Sequence, residues 1–70
     1  MPIVVAPLFR ELRVIKVLAD DKTKKHLESL GVCMGGNVTV LSSSGGSVVI
    51  LIKDGRLALD NNLATKILVA

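Results

Sequence analysis

His26, Cys33 and Met34 carry the side chains that could ligate a soft metal, but they do not make a set. The chain has one His and one Cys, so zinc knuckles and ribbons, which need three or four such ligands, are excluded. His26 and Cys33 are also the only base and thiol that could pair for nucleophilic chemistry, and no third group is placed to orient them. Ser42, Ser43, Ser44 and Ser47 surround a Gly-Gly pair and read as turn residues. Gly45-Gly46 precedes a strand pattern, so no helix N-terminus follows it to hold a phosphate. Lys22, Lys24 and Lys25 form a short basic run, which is a solvated face or a docking patch for an acidic surface. Cys33 and Met34 read as gap-fillers, and His26 as a solvent-facing helix residue. These residue types therefore point away from an enzyme, a resident metal or any cofactor.

The elements around them follow from the pattern. Seventy residues, half of them apolar, allow one domain over residues 1–70, with 1–12 as a loosely attached N-terminal segment. Ile3 to Val5 reads as a short strand or a loose tail, interrupted by Pro7. Arg13 to Leu18 reads as a strand. A short helix, about Thr23–Leu30, starts on a cap at Asp21 or Thr23 and buries Leu27 and Leu30, three apart on one face. Gly31 ends it, with Leu27 and Val32 at the two positions that meet in a Schellman ending. Gly35-Gly36 turns the chain into a strand over Asn37 to Ser42, and Ser43 to Gly46 is the next turn. Ser47 to Lys53 is a strand, Asp54-Gly55 a hairpin signal, and Arg56 to Leu59 the return strand. Asp60 caps one short turn, and Lys66 to Val69 closes the chain.

Val48 to Ile52 is the longest unbroken apolar run, far short of the ~20 residues a membrane helix needs. Successive strand side chains alternate between faces. With Val48, Ile50 and Ile52 inward, Val49 and Leu51 face outward and need a cover: the helix, the N-terminal segment, a partner or a second copy. Nucleic acid is the rival partner class, because small barrels often bind it and the net charge is +3. Single-stranded binding normally stacks bases on aromatic platforms, and Phe9 is the only aromatic residue.

The basic helical turn followed by Leu27-x-x-Leu30-Gly31-Val32 and Gly35-x-x-Val38 resembles the FeoA family. Those are small cytosolic proteins of bacterial ferrous iron uptake. Gly46-Ser47-Val48-Val49-Ile50, Arg56-Leu57-Ala58-Leu59 and Ala64-x-x-Ile67-x-Val69 are similar to the family's later strands, in order. The chain departs from the family where a Gly usually precedes the first strand and has Glu11-Leu12-Arg13 instead. The resemblance implies a mostly β, SH3-like antiparallel barrel of about five strands with one short α-helix. It also implies a non-enzymatic cytoplasmic protein that docks on the cytoplasmic part of the ferrous iron transporter, without inserting in the membrane itself. The alternative is a small barrel that binds nucleic acid or a transcriptional regulator. Candidate contact residues are Lys24, Lys25, Val49 and Leu51.

Overall fold

Alternating apolar side chains build the strands of this chain, and a computed structural model describes residues 1–53 and 55–70. The strands are β1 (Glu11–Val17), β2 (Asn37–Ser44), β3 (Ser47–Ile52), β4 (Gly55–Asp60) and β5 (Ile67–Val69). Helix α1 (Asp21–Ser29) lies between β1 and β2, and the short α2 (Asn61–Ala64) lies between β4 and β5. All pairings are antiparallel, in the order β4-β3-β2-β1-β5. β2, β3 and β4 are sequential neighbours, whereas α2 carries the chain back so that β5 pairs with the far side of β1.

Two bulges curl this sheet into a small SH3-like barrel. One extra residue, Ile15, sits between Val14 and Lys16 of β1, and another, Leu41, between Val40 and Ser42 of β2. A bulge bends its strand and raises the local twist. It also resets the two-residue alternation, so Leu12 and Val14 are buried before the bulge and Val17 after it, while Ile15 is exposed. The core collects Val38, Val40, Val48, Ile50, Leu59, Ile67 and Val69 from the inner faces, with Leu27, Val32 and Ala64 covering them from α1, its exit and α2.

Helix α1 begins one residue earlier than the cap at Asp21 or Thr23 allows. Asp20 is the cap, its carboxylate accepting from the Thr23 N–H at 2.8 Å. Hydrogen bonds from the Thr23 side chain and then its backbone N–H hold the Asp20 carboxyl below its ordinary pKa. A lowered folded-state pKa stabilises above the unfolded value and loses that contribution as pH falls through the folded one. The melting gap between wild type and Asp20→Ala should therefore be full at neutral pH and close below the usual carboxylate range. A gap that stays constant through acid would show that the ionised cap contributes nothing.

The helix ends in the expected Schellman motif. The Val32 N–H donates to the Leu27 carbonyl at 2.9 Å and the Gly31 N–H to the Glu28 carbonyl at 3.0 Å, with Gly31 at φ 104°. Leu27 is fully buried, but Leu30 is 37% exposed and is not a second anchor. Leu30 is the C-cap, where the chain leaves the helical path, so the three-residue spacing no longer fixes its face.

The N-terminal segment also differs from its sequence reading. Ile3–Val5 form one turn of 3-10 helix, and Ile3 is 0% exposed rather than part of a loose tail. The Val69 N–H donates to the Met1 carbonyl at 2.8 Å, Pro2 bridges to Leu68, and the Ser43 hydroxyl donates to the Val4 carbonyl at 3.3 Å. Strand β1 starts at Glu11, two residues before the expected Arg13. Ser43 and Ser44 belong to β2, so the turn is Gly45-Gly46 alone, both at positive φ. Asp60 caps α2 as expected, accepting from the Leu63 N–H at 2.8 Å. The Asp54-Gly55 hairpin signal includes Asp54, which lies outside the described residues.

Candidate docking surface

The outer face of β3 carries side chains that register aligns across four strands. Val48, Ile50 and Ile52 point inward, Val49 is half-buried and Leu51 is 43% exposed, so the strand alternates as its sequence requires. Register fixes the neighbours of Leu51. It lies opposite Thr39 on β2 and Arg56 on β4, and Thr39 lies opposite Glu11 on β1. Glu11, Thr39, Leu51 and Arg56 thus form one row across four strands, about 15 Å long at the usual interstrand spacing. In the next row Val49 lies between Ser42 and Ala58.

A groove of ≈ 460 Å³ opens along this face, with Leu51 flanked by Glu11, Asn37, Thr39, Lys53 and Cys33. Its lining combines apolar Leu51 and Ile52 with polar groups and both charge signs, a mixture that protein contact patches also show. A second depression of ≈ 400 Å³ is lined by Val17, Lys24, Glu28, Val32, Cys33 and Met34. Cys33 borders both, so the loop after α1 is the wall between them. Lys24 and Leu51 therefore lie on opposite sides of that wall. Lys25, one position and about 100° further round the helix, is exposed and borders neither depression. Val49 and Leu51 share a face, and the two lysines do not join it.

His26 is exposed on α1, as its position beside Leu27 implies. Cys33 and Met34 are exposed as well, which corrects their reading as gap-fillers: they wall the two depressions instead of filling the core. The nearest polar partner of the Cys33 thiol is the Glu28 carbonyl at 4.0 Å. Among the described residues no three His, Cys, Asp or Glu side chains gather as a metal site. Anaerobic titration with ferrous iron should accordingly show no stoichiometric binding at about micromolar metal, because one imidazole and one thiol are an incomplete ligand set. A one-to-one isotherm abolished by His26→Ala or Cys33→Ala would overturn this.

Several surface features escape sequence reasoning. Phe9 is 73% exposed and adopts a left-handed φ of 62°, rare for a bulky residue, with its N–H donating to the Val40 carbonyl at 2.8 Å. Nothing in Pro7-Leu8-Phe9 signals that conformation. Glu11, Thr39 and Arg56 join Leu51 only through register, which depends on the Gly45-Gly46 turn and the β2 bulge. No helix among the described residues is long and apolar enough to cross a membrane.

The curled five-stranded sheet with one inserted helix defines the chain as a small SH3-like β-barrel protein. The FeoA domain matches residues 1–70, and the chain belongs to the FeoA family, small accessory proteins of ferrous iron transport. Solved structures agree on the fold. The chain is similar to a crystal structure of the iron uptake regulatory protein FeoA, at 23% identity and TM-score 0.88, covering 99% of this chain and 93% of that one. The FeoA protein of Chlorobium tepidum gives 22% identity and TM-score 0.86, covering 99% and 68%. A FeoA-like protein of Clostridium acetobutylicum gives 17% identity and TM-score 0.83, covering 100% and 84%. No curated protein matches the chain by sequence.

Proposed function

We propose that this chain is a non-enzymatic cytoplasmic accessory of ferrous iron uptake that docks on the cytoplasmic part of the ferrous iron transporter. The observation that carries the reading is Leu51, an exposed apolar side chain lining a groove shared with polar and charged side chains on a FeoA-family barrel. Leu51 and the half-buried Val49 supply the contact that loses water on docking. Glu11 and Lys53 on the rim fix orientation by charge, since rim pairs add specificity more than affinity. Lys24 and Lys25, beyond the Cys33 wall, contribute long-range steering toward an acidic surface rather than direct packing. Docking of this kind acts by changing the activity or assembly of the transporter, with no bond made or broken by the chain itself.

The test is calorimetric titration of the chain into the soluble cytoplasmic domain of the transporter from the same cell. A saturable complex is the expected result. Absence of binding there, together with recovery of RNA, DNA or a transcriptional regulator from a native lysate, would replace this reading with the rival one.

A further inference from the structure

The sheet stops at β4, and its backbone shows which groups stop unpaired. Ser44 and Ser47 enclose the two-residue Gly45-Gly46 turn, so they are a hydrogen-bonded pair, and such pairs alternate along an antiparallel ladder. Val48 and Ile50 then direct their N–H and C=O groups at β4, to Leu59 and Leu57. The Asn61 N–H donates to the Gly46 carbonyl at 3.0 Å, which continues the same alternation past the end of the strand. Arg56 and Ala58 therefore point both backbone groups away from β3, and Asp60 its N–H, while the Asp60 carbonyl serves α2 as its cap. Among the described residues no other strand pairs there. Their side chains are all exposed on the outer face.

We propose that this edge pairs with β4 of a second copy of the chain, antiparallel about a two-fold axis at Ala58. That register sets Arg56 opposite Asp60 of the second copy, and Asp60 opposite Arg56 of the second copy, so opposite charges meet twice. Ala58 meets Ala58 at the axis, where the small side chain leaves the strands free to approach. Leu57 falls opposite Leu59 on the inner side. Other registers forfeit the match: centring on Leu57 removes Asp60 from opposite Arg56, and centring on Leu59 sets Arg56 opposite Asn62, which is already in α2. The start of α2 at Asn61 thus sets the length of the ladder, and because the Asp60 carbonyl accepts the first bond of α2, the ladder supplies about four backbone hydrogen bonds.

The two barrels become one continuous sheet with the same face outward. Val49, Ala58, Ala58 of the second copy and Val49 of the second copy form an unbroken strip across the axis. The two Leu51 grooves then face the same way, so a partner with two matching sites would be held bivalently. This pairing is independent of what covers Leu51. The ladder is short, below the size of a standard stable interface, so association is concentration-dependent.

Sedimentation equilibrium of the full chain between about 10 µM and about 1 mM tests it, over the range that weak interfaces occupy. The mass should rise about twofold, as one dimer of isologous type requires. Ala58→Pro removes the donor at the axis while proline remains tolerated on an edge strand, and should stay monomeric with an unchanged melting curve. Arg56→Asp sets like charges opposite each other and should abolish the rise as well, which decides the matter even if the proline variant unfolds. A wild-type chain that stays monomeric at the top concentration overturns the proposal. So does a dimer that persists in folded Arg56→Asp.

Discussion

Leu27→Ala should destabilise the chain by about 2–5 kcal/mol, the range for truncating a buried leucine. The site warrants the full range. Leu27 is fully buried, it is the only buried residue of α1, and with Leu30 at the surface no second helix side chain shares its role. The cavity left behind cannot collapse easily, because Val32 next to it is pinned by its hydrogen bond to the Leu27 carbonyl. A chain of this size has a total stability of only about 4–10 kcal/mol, so the loss is a large fraction of it. Thermal melting of the two proteins checks this. A shift of less than about 4 °C would correspond to under about 1 kcal/mol and would mean that α1 is held by something other than Leu27.

Gly31→Val should cost about 1–3 kcal/mol through the backbone alone, the range for a residue held in a sparsely populated conformation. Gly31 has φ 104°, and a Cβ there would sit 2.7 Å from Ile52 Cδ1. The steric part is the smaller one, since the tip of Ile52 can turn aside. The conformational part remains, because a β-branched residue is a clear outlier at positive φ. Gly31 also borders the groove that holds Leu51 and Ile52, so displacing Ile52 would disturb that surface. Chemical denaturation gives the magnitude directly. A Gly31→Val midpoint equal to wild type would show that the chain leaves α1 by another route without strain.

The sequence made some of this legible because the signals were local. The Schellman ending was readable because glycine, the last helical turn and the following valine lie within a few residues of one another. The inward and outward sets of β3 were readable because strand alternation needs only its own period, and Asp60 declared itself as a cap beside its short helix. Leu30 misled because three-residue spacing predicts a face only while the backbone stays helical, and Leu30 is where it stops. Ile3–Val5 is three β-branched residues, yet it forms a 3-10 turn because burying Ile3 against the barrel outweighs local β propensity. The bulges at Ile15 and Leu41 carry no glycine or proline to announce them, and they decide which residues of β1 and β2 face out. The groove was half legible. Leu51 followed from the pattern, whereas Glu11, Thr39 and Lys53 come from three strands or their ends and meet only after the register is set. The lysines of α1 illustrate the converse: a basic run is plain in the sequence, but only the structure shows that Lys24 lines the second depression and that Lys25 lines neither.

Docking through the outer face of β3 is tested most directly by binding of wild type, Leu51→Ser and the double variant Lys24→Glu with Lys25→Glu to the soluble cytoplasmic domain of the transporter, across a salt series. Melting curves are recorded in parallel. Apolar contacts respond little to salt, whereas exposed charges are screened beyond about 8–10 Å at physiological ionic strength. Leu51→Ser should keep the wild-type melting temperature and weaken the complex about tenfold or more at every salt concentration, as loss of a central apolar contact does. The double lysine variant should slow association at low salt and match wild type at high salt. If Leu51→Ser stays folded and binds as tightly as wild type at every salt concentration, the transporter does not contact this face.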